Sequence, residues 1–179
     1  IRHCMIPILL VRPSEETREI GPDSDREIRR VLAALDGSET AETALRDAFE
    51  LGITADASLV LVHALQPPVA AASPYLPHTI QLTHDEMQAR EDHMRHYLEQ
   101  VAAGEWLGDR PTDVRVRVDY HPAPAILELS EEENADLIAL GTHGRGGLRR
   151  LILGSVADKV IRGTHRPVLV HRGVGRIAR

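Results

Sequence analysis

The sequence predicts an α/β protein with a sheet of five parallel strands covered by helices on both faces. Three observations carry this. Short apolar runs alternate with stretches of helical periodicity along most of the chain, the pattern of strand–crossover–strand units. Two of those runs, 58–65 (SLVLVHAL) and 136–141 (DLIALG), are apolar with little alternation, as expected of strands buried on both faces. A glycine-rich stretch follows the second run and leads into a further helix. In open parallel sheets that is where a ligand meets the carboxyl end of a strand.

The elements follow in order. Residues 28–35 (IRRVLAAL) read as the first strand, and Asp36-Gly37-Ser38 as a turn able to cap a helix. Residues 39–52 place Ala41, Ala44, Leu45, Ala48 and Leu51 at helical spacing, with Gly52 as the stop. After the 58–65 strand, residues 66–78 carry Pro67, Pro68, Pro74 and Pro77 among small residues and read as a loop. Residues 79–103 are polar and helical, with Leu82, Met87, Met94, Leu98 and Val101 expected to face inward. Residues 113–119 (DVRVRVD) alternate, as a strand at or near a sheet edge does. A helix at 123–133, the 136–141 strand, a helix from Ser155 to Arg162 and a last strand at 167–171 (PVLVH) complete the pattern.

Composition narrows the classes. The chain has 179 residues, is 42% hydrophobic and 27% charged, and has 3% aromatic residues, so aliphatic side chains must fill one domain's core. A net charge of −6 argues against a free-standing nucleic-acid binder. No apolar run approaches the roughly 20 residues that span a bilayer, and the 79–103 helix carries both charge signs, so no membrane role is expected. One cysteine, Cys4, excludes an internal disulfide and suits a reducing, cytoplasmic setting. His93 and His96, with His84 before them, have a spacing that could bind metal, but their charged surroundings point to a solvated face.

The chemistry concentrates in Gly141-Thr-His-Gly144-Arg-Gly-Gly-Leu-Arg-Arg-Leu-Ile-Leu-Gly154-Ser155. Glycines let the backbone turn sharply and approach a ligand, and consecutive amides can cradle an anion. Ser155 opens the next helix, so its hydroxyl and the first helical amides are available to the same anion. His143, Arg145, Arg149 and Arg150 add donors. The alternative is a glycine-rich turn with no ligand. Neither G-x-x-x-x-G-K-[ST] nor a G-x-G-x-x-G at the first strand is present, so neither the P-loop nor the dinucleotide fingerprint applies.

Gly141, Gly144, Gly154 and Ser155 match G-x2-G-x9-G-[ST], and this resembles the ATP-binding branch of the universal stress protein family. The likeness extends to VLAALDGSETAETAL at 31–45, LVHAL at 61–65, ADLIALGTHGRGGL at 135–148 and GSVADKVI with PVLV at 154–170, covering roughly residues 26–172. It implies a Rossmann-like open sheet with strand order 3-2-1-4-5. It also implies a site. Asp36 would bind the ribose, and Ala34, Leu35, Ala64 and Leu140 would flank the adenine. Gly141, His143, Gly144 and Arg145 would hold phosphates, and Gly154, Ser155 and Val156 the far end of the phosphate chain. For Asp36 the alternative is a helix cap; for Ala64 and Leu140 it is an ordinary core position. The ligand is expected to be ATP with Mg2+ carried on its phosphates and no separate protein cage for the metal. Tyr120 stands where the family usually has glycine.

The first residues repeat the last. Under an offset of 160, Ile1, Arg2, Pro7, Leu9 and Arg12 recur as Ile161, Arg162, Pro167, Leu169 and Arg172. Residues 1–12 are therefore expected to be the last strand of a preceding copy of the same domain, with 13–25 a linker, 26–173 the domain and 174–179 a tail. The alternative is an unrelated extension. The resemblance implies pairing through last strands, so 7–11 is expected to pair antiparallel with 167–171 of this chain or of a neighbour.

Three functions are compatible with this. The first is an ATP-binding regulatory protein of the stress-response type acting through a dimer, a tandem pair or a protein partner. The second is a slow ATPase or nucleotidyl-transfer enzyme on the same loop, which the absence of an evident base disfavours; no catalytic residue is assigned. The third is a dimerisation module with a degenerate site, which the intact motif disfavours.

Overall fold

The apolar runs assemble into a six-stranded mixed sheet. The computed structural model describes residues 7–12, 28–50, 57–68, 83–142 and 154–171. In chain order the elements are β1 (Ile8–Leu10), β2 (Arg30–Ala34), α1 (Glu39–Glu50), β3 (Ser58–Leu65), α2 (His84–Ala102), a 3-10 turn (Glu105–Leu107), β4 (Thr112–Val118), α3 (Pro122–Glu132), β5 (Leu137–Gly141), α4 (Ser155–Gly163) and β6 (Val168–His171). The strands lie in the order β1-β6-β5-β2-β3-β4. Neighbours are parallel except β1 and β6, which are antiparallel. Without β1 the order is the expected 3-2-1-4-5, and the extra N-terminal strand adds the sixth.

The apolar runs are explained by two cores. In β3, Leu59 and Leu61 join Leu45 of α1 and Leu98 of α2 on one face. Val60 and Val62 join Ile126 of α3 and Val160 of α4 on the other. A strand with a helix layer on each side has no polar face to show. Each fully buried aliphatic side chain contributes roughly 1.5–3 kcal/mol relative to exposure.

Element boundaries shift for local reasons. The first strand starts at Arg30 and not at Ile28, because Asp136 Oδ2 accepts the Arg29 and Arg30 amides at 2.9 and 3.0 Å at the sheet's lower end. Thr83 and Glu86 form a reciprocal capping box, so α2 begins at His84; residues 79–82 of the expected helix lie outside the described residues. Of its expected inward residues, Met94 and Leu98 are buried, Met87 and Val101 are half-buried, and Leu82 lies outside the described residues. The 3-10 turn was not expected. It brings Trp106 against Phe49 at 5.2 Å between ring centroids, with Arg46 and Arg110 over the two rings.

The β1–β6 register is symmetric. Ile8 faces Val170, Leu9 faces Leu169 and Leu10 faces Val168. Under the 160-residue repeat, Leu9 thus faces its own counterpart, and the two flanking pairs exchange under a two-fold axis through that position. Arg12 extends the contact by donating to the carbonyls of Ile161 and Arg162 at the end of α4, at 3.0 and 3.1 Å. A cation there also complements the helix dipole.

Candidate functional site

β2 leads to β3 and β4 on one side, while β5 and β6 lie on its other side. The order therefore reverses between β2 and β5, and ligands of such sheets lie beyond the carboxyl ends at that point. Ala34 and Leu140 are register partners across it. Asp36 and Gly141–Thr142, the continuations of these strands, stand together at that end of the sheet.

Asp36 does not cap α1. Its Oδ1 accepts from the Ser38 amide at 3.0 Å and from Ser38 Oγ at 2.5 Å, an Asx turn. Ser38 Oγ in turn accepts the Ala41 amide at 3.3 Å, so the cap is Ser38. Among the described residues, Asp36 Oδ2 carries no hydrogen bond. The carboxylate is half-buried, with one oxygen fixed by the turn and the other available.

The glycine-rich loop is closed at its base. The Gly154 amide donates to the Thr142 carbonyl at 2.6 Å, and the Thr142 amide donates to the His171 carbonyl at 2.9 Å. The first and last parts of the motif, far apart in sequence, therefore meet at the end of β5. Gly154 also precedes α4 and brings no side-chain cap to it. By contrast, Ser38 and Thr83 cap α1 and α2. The opening turn of α4 offers amide donors and the positive end of its dipole at the loop's base. His143, Gly144 and Arg145 lie outside the described residues.

Gly141 has a packing role of its own. A Cβ there would sit 3.0 Å from the Ala41 amide nitrogen and 3.1 Å from the Thr40 carbonyl carbon. β5 thus ends directly against the first turn of α1.

The residues expected around the base divide between the two faces. Ala34, Ala64 and Leu140 belong to the core beneath α3 and α4, as does Val156, which was expected at the far end of the phosphate chain. Ala34 and Ala64 are half-buried there, whereas Leu140 is 4% exposed and serves as floor. Leu35 is 2% exposed in the opposite core, beneath α1 and α2. Adjacent residues of an extended chain point to opposite faces, so Leu35 meets this site only through its backbone.

Sequence reasoning singled out Ser38 only as part of a capping turn and gave Thr142 and His63 no role. His63 is a lone polar residue inside the apolar β3 run, and its Nδ1 lies 2.7 Å from the Leu35 carbonyl. Among the described residues no group of three or more His, Cys, Asp or Glu could hold a metal ion. His84, His93 and His96 are exposed, as expected of a solvated face, and Cys4 lies outside the described residues. Tyr120 is exposed in the turn after β4, where its carbonyl accepts from Gln66 at 3.0 Å. Its φ is not positive, so nothing in the backbone of this turn requires glycine at that position. No helix among the described residues is long and apolar enough to cross a membrane.

These features define an open-sheet α/β domain whose candidate site lies at the switch point of the sheet. The chain belongs to the universal stress protein family, whose sequence model matches residues 27–172. A universal stress protein of Mycobacterium tuberculosis is 32% identical over 175 residues, 96% of this chain and 51% of that protein. The chain thus spans about half the length of its mycobacterial relatives. A universal stress protein of Methanocaldococcus jannaschii is 55% identical over 49 residues, 27% of this chain and 29% of that protein. Among solved structures, UspA from Lactobacillus plantarum superposes with a TM-score of 0.60 at 23% identity, covering 82% of this chain and 99% of that one. A universal stress protein in complex with cAMP superposes with a TM-score of 0.56 at 22% identity, covering 80% and 97%. One from Archaeoglobus fulgidus superposes with a TM-score of 0.58 at 22% identity, covering 96% of this chain and 52% of that one.

Proposed function

We propose that this chain is an adenine-nucleotide-binding regulatory protein of the stress response, with ATP as its ligand. The observation that carries the reading is the closed loop base. It sets Gly154, Ser155 and the open start of α4 beside Gly141, next to Asp36 across the β2–β5 switch point. In this arrangement Asp36 Oδ2 accepts from the ribose hydroxyls, and Ala34 and Ala64 lie beside the base over Leu140. The amides of the 141–145 segment and of Gly154, Ser155 and Val156 hold phosphates, with His143 and Arg145 adding charge. The complex of a family member with cAMP favours adenine as the base. In this reading nucleotide occupancy acts by changing dimer or partner contacts. Equilibrium dialysis against Mg-ATP, Mg-ADP and cAMP tests the ligand class. Saturable binding of ATP at micromolar concentration is expected; none at millimolar concentration of all three would leave only the interaction-module reading.

The symmetric β1–β6 pairing supports a tandem arrangement, in which residues 1–12 close a preceding domain and 13–25 link it to this one. Leu9 and Val11 are 44% and 59% exposed, whereas Leu169, opposite Leu9, is buried under α1. A second domain related by the same two-fold axis would cover Leu9 as α1 covers Leu169. Deleting residues 1–12 uncovers the edge of β6, and such edges recruit other strands. The truncated chain is expected to self-associate in sedimentation velocity. A monomer at all concentrations would count against last-strand pairing as the assembly mode.

A further inference from the structure

The turn that presents Asp36 is held from the neighbouring strand, and we infer that His63 is the positioning residue for the ribose-binding carboxylate. This rests on the proposed nucleotide reading and adds a residue that the glycine motif does not include. Two consecutive residues of β3 grip Leu35. The Leu35 amide donates to the Val62 carbonyl at 2.9 Å, and the Leu35 carbonyl lies 2.7 Å from His63 Nδ1. A carbonyl oxygen only accepts, so Nδ1 carries the proton and donates. The imidazole is 9% exposed, and a hydrogen bond so shielded from water holds its geometry firmly. The Leu35 side chain is buried on the same face.

Asp36 is the next residue. Its Oδ1 is bound by the Ser38 amide and hydroxyl, so the carboxylate is fixed from both directions: by His63 through the Leu35 peptide, and by Ser38 directly. Without the His63 donor, the peptide joining Leu35 to Asp36 can rotate, and Oδ2 loses its aim. The expected defect is specific to the ribose hydroxyls and does not involve the phosphates, which bind at the other side of the switch point.

The test compares His63→Leu and His63→Asn with the parent chain, titrated with Mg-ATP and with Mg-2′,3′-dideoxy-ATP, which lacks both ribose hydroxyls. Leucine fills the buried space without a donor; asparagine returns an N–H close to the Nδ1 position. His63→Leu is expected to weaken ATP binding roughly tenfold, the value of about one well-made hydrogen bond, and to leave dideoxy-ATP binding unchanged. His63→Asn is expected to recover most of the ATP affinity. Thermal unfolding of each variant confirms that it is folded. An equal loss for both nucleotides would make His63 a general support of the domain and overturn the proposal, as would undiminished ATP binding in His63→Leu. A parent that binds dideoxy-ATP as well as ATP would remove the ribose role of Asp36 and this proposal with it. A parent that binds neither nucleotide would overturn the nucleotide reading itself.

Discussion

Gly141→Ala is expected to lower the thermal unfolding midpoint by several degrees with no ligand present. The added Cβ would meet Ala41 N at 3.0 Å, and Ala41 Cα and the Thr40 carbonyl carbon at 3.1 Å. All three are backbone atoms in the first turn of α1, so no side chain can swing aside. The same Ala41 amide is held by Ser38, through its carbonyl at 3.1 Å and its hydroxyl at 3.3 Å. Relief of the contact must push α1 off β5 or loosen its capped start. Overpacking of this kind costs about 1–3 kcal/mol, at roughly 2–4 °C per kcal/mol for a domain of this size. Calorimetric unfolding of the two proteins measures it, and an unchanged midpoint would mean that β5 and α1 do not approach this closely. Because Gly141 is required for packing, loss of binding in a Gly141 variant would not by itself report on phosphate contacts.

Asp36→Ala is expected to give the largest effect on binding. The carboxylate of Asp36 is a half-buried acceptor with one oxygen held by Ser38. Hydrogen bonds to charged groups contribute about 1.5–3 kcal/mol, so ATP affinity is expected to fall by roughly ten- to a hundredfold. The fold is expected to survive with a small loss of stability, because the cap on α1 is Ser38 and remains in place. Isothermal titration of the variant measures the effect. ATP affinity equal to the parent's would show that the carboxylate serves only the turn.

Much of the architecture was legible because the physics behind it is local. An apolar run such as SLVLVHAL has no exposed face, and only a strand between two helix layers satisfies it. Strand order was legible through the motif resemblance, and the β1 partner through the repeated Pro7, Leu9 and Arg12. What was lost depended on tertiary or fine-grained features. The capping-box spacing of Thr83 and Glu86 stood in the sequence and fixes the start of α2. The 3-10 turn carrying Trp106 forms where an aromatic packs against Phe49 of a distant helix, which no local pattern announces. Ala34 and Leu35 were both placed beside the base, although neighbours along an extended chain must face opposite layers; the two cores separate them. A short turn such as Asp36-Gly37-Ser38 offers two capping side chains, and only the hydrogen bonds show that Ser38 takes the cap and leaves Asp36 an oxygen to spare. His63 could have been noticed as the one polar residue inside an apolar run, since burying it requires a partner.

The most direct test of the nucleotide site is calorimetric titration of the chain with Mg-ATP, run beside Gly154→Val. Gly154 has φ −64° and ψ 153°, an extended conformation that valine adopts without strain, so the substitution adds bulk at the loop's base without forcing the backbone. Micromolar binding in the parent, absent from a variant that unfolds at the same temperature, is the predicted result. Equal binding in both, or no heat in a parent shown to be free of co-purified nucleotide, would contradict it.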